Sequence, residues 1–256
     1  MTTAGEIYAY IDRFAPFHTA MDFDNPGLLV GDQDAPATSV LLALDITAAV
    51  VKEAEKAGCQ LIVSHHPVIF HPLKRLGSHD APYLLAKAGI SAVCAHTNLD
   101  LADGGVNTCL ADRLELGQVR PLKEYENTGL AEGLIGSLER ELSPELFAEF
   151  VKEKLGCGGL KYTCGKRAVK TVALCGGAGA YLLYDAVSAG ADAFVTADTK
   201  HHELLAAGEL GLTLVDAGHF CTEDVVIEPL LEKLRSAFPS VKFQKSGALT
   251  DPAKYL

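Results

Sequence analysis

Cys59-Gln-Leu-Ile-Val-Ser-His-His-Pro67 is the stretch on which the reading of this sequence turns. It is an apolar run that reads as a buried strand and stops at two histidines. Pro67 lacks an N–H and limits helix or central-strand pairing beyond them. Two other segments share the design. Ile90–Ala95 is a strand followed by His96 and, four residues on, Asp100. Thr213–Asp216 is a strand followed by His219 and, four residues on, Glu223. In open α/β sheets, ligands gather outside the carboxyl ends of the strands. The pattern therefore puts His, Asp and Glu where a site would form.

Outward from these strands the elements alternate. Residues 4–15 read as an amphipathic helix, and 23–31 as a turn entering a short strand. Thr38–Leu44 reads as a buried strand, after which Asp45 and Thr47 offer capping oxygens to a helix over about 47–57. Helices are expected at 80–88 and from Gly104 to Leu114. Arg120–Thr128 is polar and turn-rich, which places a boundary near 124. Gly133–Leu138 reads as a strand, and Ser143-Pro144-Glu145 starts a helix that Gly156–Gly159 ends. The last third reads as β-α-β-α-β through Thr171–Cys175, Ala193–Thr196 and Thr213–Asp216. Alternating strands and helices argue for an α/β fold with mostly parallel sheets.

Composition limits the function classes. The 256 residues are 48% hydrophobic and 21% charged, the balance of a globular protein able to bury a core. With 22 Lys and Arg against 33 Asp and Glu, the net charge of −11 repels a phosphate backbone, so nucleic acid is not an expected partner. The basic stretches Lys161–Arg167 and Lys242–Lys245 read as solvated faces. Seven cysteines with no CxxC pair fit a reducing cytosol. Neither a signal peptide nor a membrane span is read, so a cytoplasmic location is expected.

The weight of each motif differs. If a helix starts near Thr222, His219 and Glu223 share one face and can reach one ion; Cys221 would face elsewhere. For His65-His66 two readings stay open: a pair of metal ligands, or one carbonyl-capping and one exposed histidine. Gly176-Gly-Ala-Gly179 follows a strand and either cradles a phosphate or allows close strand-to-helix packing. His201-His202 with Glu203 is a metal or substrate contact, or an exposed helix start. His18, His71 and His79 stand alone and read as surface or structural. Ser64 lacks a nucleophile elbow. Imidazole and carboxylate without thiolate suit Zn, Mn, Fe, Co or Ni.

Six motifs in order then carry a resemblance: Asp24-Asn-Pro-Gly-Leu-Leu-Val-Gly31, Ser64-His-His-Pro67, Ala95-His-Thr-Asn-Leu-Asp100, Cys175-Gly-Gly-Ala-Gly179, Ala197-Asp-Thr-Lys-His-His202 and Gly218-His-Phe-Cys-Thr-Glu223. Over nearly its whole length the chain resembles the Nif-three-like dinuclear metal-centre proteins, often named GTP cyclohydrolase I type 2. The resemblance implies two α/β lobes with mixed, mostly parallel sheets and a site at strand C-terminal ends in the cleft between them. Residues 1–124 would form the first lobe and supply His65, His66 and Asp100. Residues 125–256 would form the second, with about 205–256 packing back on the first and supplying His219 and Glu223. Those five residues match the family's ligands for two divalent ions per subunit. His96 matches a nearby histidine, a candidate base, and Asp198 and His202 match a substrate-contacting motif. A homohexamer built as a trimer of dimers is also implied. Phe23 stands where the family often has Trp, and Ala178 where it often has Ser.

The implied function is a metal-dependent hydrolase on a nucleotide-like anion, with His96 moving a proton. A non-enzymatic metal-binding scaffold or regulatory ring is the alternative.

Overall fold

The computed structural model describes residues 1–126 and 128–256, and the chain divides into two compact units. Unit one holds Met1–Asp103 and Ile227–Thr250; unit two holds Gly104–Val226 and Asp251–Leu256. Each has its own sheet, and the α/β class with two mixed sheets is as expected.

Unit one begins with α1 (Ala4–Phe14), closed at its start by a capping box between Thr3 and Glu6 and burying Ile7 and Ile11. Its further elements are β1 (Gly27–Val30), β2 (Ser39–Ala43), α2 (Ala48–Lys56), β3 (Leu61–Ser64), α3 (Ala81–Ala88), β4 (Ser91–Cys94) and α4 (Thr97–Leu101). Strands β2, β3 and β4 are parallel and buried along their whole length, which is why each reads as an unbroken apolar run. β1 lies antiparallel on the outer side of β4. Ala43 pairs with Ser64, and Ser64 with Cys94, so three strands end on one level. That register carries Asp45, His65, His66 and His96 off the same edge of the sheet.

The opposite edge strand, Lys242–Lys245, was read as a solvated basic face. Both lysines are exposed in agreement with that reading, and the segment also forms a parallel strand on β2, fed by the helix Ile227–Ala237. Its two terminal lysines are exposed while Phe243 is buried, so only the alternate positions carry the core signal. Glu53 of α2 holds the turn that follows: its carboxylate accepts from Ser246 Oγ, from Gly247 N at 2.9 Å and from Ala248 N at 3.2 Å.

Unit two contains α5 (Val106–Arg113), β5 (Gly117–Tyr125), β6 (Leu130–Leu142), α6 (Pro144–Leu155), β7 (Lys161–Tyr162), β8 (Val169–Leu174), α7 (Leu183–Ser188), β9 (Ala193–Thr196), α8 (His201–Leu210), β10 (Thr213–Asp216) and α9 (His219–Glu223). The sheet order is β5-β6-β8-β9-β10-β7, with β8, β9 and β10 parallel and the other pairings antiparallel. The polar stretch read as a turn is therefore strand β5 as far as Tyr125; residue 127 lies outside the described residues. β5 is the outermost strand and almost wholly exposed, which removes the apolar alternation a sequence reading needs and leaves room for Pro121. The strand expected over 133–138 extends to thirteen residues as β6. Leu174 pairs with Val195, and Thr196 with Asp216, so the three parallel strands end together and release the glycine loop, Asp198 and His219 side by side. No helix among the described residues is long and apolar enough to cross a membrane.

Burial opposes ionisation of Glu53, but the hydrogen bonds from Ser246, Gly247 and Ala248 outweigh it and hold the carboxyl below its ordinary 4.5. A depressed folded value means stability that is present above pH 4.5 and lost as pH falls through the folded value. Glu53→Gln should cost about 1 kcal/mol in urea unfolding at pH 7. The gap from wild type should close as pH falls through the folded value, below 4.5. A gap of constant size from pH 7 to pH 3 would mean the carboxylate does not act through these bonds.

Candidate metal centre

In unit one, four candidate residues converge. His65 and His66 continue the pairing beyond β3, donating backbone N–H groups to Ala43 O at 3.4 Å and Leu44 O at 2.9 Å. The backbone thus fixes both residues before their side chains act. His65 Nδ1 donates to Ala95 O at 2.8 Å, and His66 Nδ1 to Asp45 Oδ1 at 2.7 Å. His96 Nδ1 donates to Asp24 Oδ1 at 2.8 Å. Each ring is therefore anchored through Nδ1 and oriented by it, which leaves Nε2 as the ligand-side nitrogen. Ligand atoms of His65, His66 and His96 lie within 4.8 Å of one another. His65 Nε2 stands 3.5 Å from Asp100 Oδ1.

Asp24 is the hinge of this arrangement. Burial works against its charge, but hydrogen bonds from His96 and Thr97 and the charge of His96 hold its carboxyl down at about 2. It also accepts from Thr97 N at 2.9 Å, the first residue of α4, and so joins His96 to the helix that carries Asp100.

In unit two, α9 opens after Gly218 and puts His219 Nε2 2.9 Å from Glu223 Oε2, one turn on. The shared face expected from the spacing is what the helix shows. His219 Nδ1 meets Asp198 Oδ2 at 2.7 Å. Asp198 holds a left-handed φ of +52°, an uncommon conformation for a residue with a side chain. Its neighbour Thr199 is pinned by N (3.0 Å) and Oγ1 (2.7 Å) to Asp216 Oδ2. Burial lowers the His219 pKa, but the hydrogen bond and charge of Glu223, then those of Asp198, overcome it and raise the ring to about 9. In the metal-free protein this favours the protonated ring; a bound ion would take the place of the Nε2 proton.

The glycine loop is closely packed. Gly177, at φ +59°, lies under the carboxylate: a Cβ there would stand 2.0 Å from Glu223 Oε1 and 3.3 Å from His219 Cε1. Gly177 N also donates to Thr222 Oγ1 at 3.0 Å. His202 is exposed on α8, its Nε2 3.9 Å from Glu203 Oε1, and His201 is exposed beside it. Cys221 points toward Asp251, not toward His219 or Glu223.

A sequence model of Duf34/NIF3 (NGG1p interacting factor 3) matches residues 2–252. The chain belongs to the Duf34/NIF3 family. Among its relatives is the GTP cyclohydrolase 1 type 2 homolog of Clostridium perfringens, 32% identical over 98% of each chain. A hypothetical protein of Staphylococcus aureus has a similar solved structure, with TM-score 0.91, 30% identity and 99% coverage of both chains. So has a Bacillus cereus protein related to NIF3, with TM-score 0.92, 26% identity and coverage of 100% of this chain and 99% of that one.

Set within the Duf34/NIF3 family, the structure adds residues that the sequence reading did not single out. Asp45 was read as a helix cap, but Thr47 caps α2 and Asp45 turns to His66. Asp24 lies in the first shared motif and Gly177 in the glycine loop, and neither carries a local sequence signal of its role. A usable signal existed for Asp45: it leaves β2 on the level where the histidines leave β3 and β4.

Gly177→Ala should push the Glu223 carboxylate off His219. In metal-stripped protein followed by NMR, the His219 ring should titrate near 9 in wild type. It should titrate at lower pH in Gly177→Ala and in Glu223→Gln. An unchanged midpoint in Glu223→Gln would show that the carboxylate does not hold that proton.

Proposed function

We propose that the chain is a divalent-metal-dependent hydrolase acting on a nucleotide-like small anion, with the GTP cyclohydrolase ring opening named for its relatives as the leading reaction. The observation that carries the reading is the anchoring of histidine after histidine through Nδ1, with carboxylates beside the Nε2 atoms of His65 and His219. Imidazole and carboxylate donors fit zinc, iron, manganese, cobalt or nickel. His65, His66, Asp100, His219 and Glu223 would hold two such ions per subunit. Bound ions of this kind supply Lewis acidity and a water acidified toward neutral pH.

The chain's own groups do the rest. Asp24 stays ionised down to about pH 2, accepts the Nδ1 proton of His96 and fixes the ring so that a proton is held or moved at Nε2. Asp198 holds His219 in one orientation and, with exposed His202, offers polar contacts to substrate. The homohexamer expected for the family is part of the same reading, and sedimentation of the purified protein checks it.

Elemental analysis of wild type beside His65→Ala and Glu223→Ala should show divalent metal in wild type and a marked loss in each variant. Content unchanged in both would end the metal assignment. Metal-replete wild type should release formate from GTP or hydrolyse a related nucleotide. Inertness across a broad nucleotide panel, with metal bound, would leave a metal-binding scaffold instead.

A further inference from the structure

Two large aromatic side chains of unit one stand out from the surface beside the histidine cluster. Phe23 is 62% exposed and Phe70 37%. Their ring centroids are 6.4 Å apart and their planes are tilted by 53°, so neither ring covers the other's face. Tyr8 and Phe17 of the same unit do cover each other, stacked at 4.3 Å and 5°. The open pair is continuous with the cluster. The Phe70 ring meets the His96 ring at 6.1 Å and 80°, and the His96 ring meets that of His66 at 5.4 Å.

The backbone under both rings is clamped. Phe23 sits on a turn closed by Asp24 N, which donates to Met21 O at 2.9 Å. Both ends of the turn are tied to Thr97: Met21 N donates to its Oγ1 at 2.9 Å, and the Asp24 carboxylate accepts from its N and Oγ1. Asn25 Nδ2 then donates to Ile69 O at 2.6 Å, which joins this turn to the residue before Phe70. Exposed rings held in place by such bonds form a surface that binding does not have to order. The segment that carries Phe70 also differs in charge from the chain as a whole. The net charge is −11, yet residues 67–79 include Lys74 and Arg75 and no carboxylate, and both cations are exposed. Flat apolar faces with cations nearby in the chain suit a planar ring that bears an anionic group.

We propose that Phe23 and Phe70 form the base-binding part of the site, against which the planar heteroaromatic ring of a nucleoside phosphate stacks. The proposal rests on the reading of the site as one for a nucleotide-like substrate, and it names the residues that select the ring. Stacking on an aromatic side chain accepts any base, because every base has a π face. The pair therefore separates nucleotides from sugar phosphates, not one base from another. A ring stacked on Phe70 stands one side chain away from His96.

The test measures binding of guanosine 5′-monophosphate and of ribose 5-phosphate, which lacks the base, by isothermal titration calorimetry. Wild type should bind the nucleotide at least about fivefold more tightly than the sugar phosphate, and Phe23→Ala and Phe70→Ala should each lose about fivefold or more of the nucleotide affinity. Sugar phosphate affinity and metal content should stay as in wild type, and Phe23→Trp should keep the nucleotide affinity. Unchanged nucleotide affinity in Phe23→Ala overturns the proposal, as does equal binding of the two ligands by wild type. A parallel fall of both affinities in Phe23→Ala also overturns it, because the ring would then act on structure and not on the base. So does a smaller assembly of Phe23→Ala in sedimentation, which would show that a second copy of the chain covers the pair. Turnover is not read. A wild type that binds the nucleotide through the pair without hydrolysing it upholds the pair and counts against the hydrolase. A wild type that hydrolyses nucleotides while Phe23→Ala keeps full affinity does the reverse.

Discussion

An imidazole has two nitrogens, and a protein that wants one of them must occupy the other. That constraint organises everything near the strand ends. His65 uses a main-chain carbonyl, His66 uses Asp45, His96 uses Asp24 and His219 uses Asp198. Each acceptor fixes the tautomer and the ring plane, so no rotamer freedom is left to lose when Nε2 engages a ligand. Where two carboxylates converge, as on His219, they also raise the pKa of the metal-free ring, to about 9.

Those anchors work only because the strands end level. Ala43, Ser64 and Cys94 form one row in unit one, and Thr196 pairs with Asp216 in unit two. Parallel strands buried on both faces hold their register through close packing, since a slip would mismatch every side chain with the neighbours it fits. The precision of the donors is thus inherited from core packing, not from the loops that carry them. Small residues finish the job: Gly177 gives Glu223 the space that a Cβ would fill.

This division explains what the sequence made legible. Buried parallel strands write continuous apolar runs, and the residues after them are easy to find; His65, His66, His96 and His219 came from that pattern. β5 was hidden because an exposed edge strand has no buried face to mark it. The Lys242–Lys245 strand was hidden because its two terminal lysines outweigh one buried Phe243. Asp24 and Asp45 were not legible as anchors because their partners lie 72 and 21 residues away, and no local periodicity records such a pairing.

A shared spacing shows where sequence logic stops. His96 and Asp100 stand four apart, as do His219 and Glu223, and both pairs sit at five-residue helices after a strand end. On α9 both residues are within the helix, and the imidazole meets its own carboxylate at 2.9 Å. On α4, His96 is the residue before the helix, at φ −112° and ψ −110°, and its ring turns to Asp24. Asp100 is left facing His65, a residue of a different strand end. One residue's backbone conformation therefore separates a local His–carboxylate pair from a long-range one. That conformation is set by the Asn98 side chain, which accepts from His96 N at 3.0 Å and donates to Ala15 O at 2.7 Å. The anchor of that histidine thus depends on a buried amide and on the end of α1, neither of which the four-residue spacing contains.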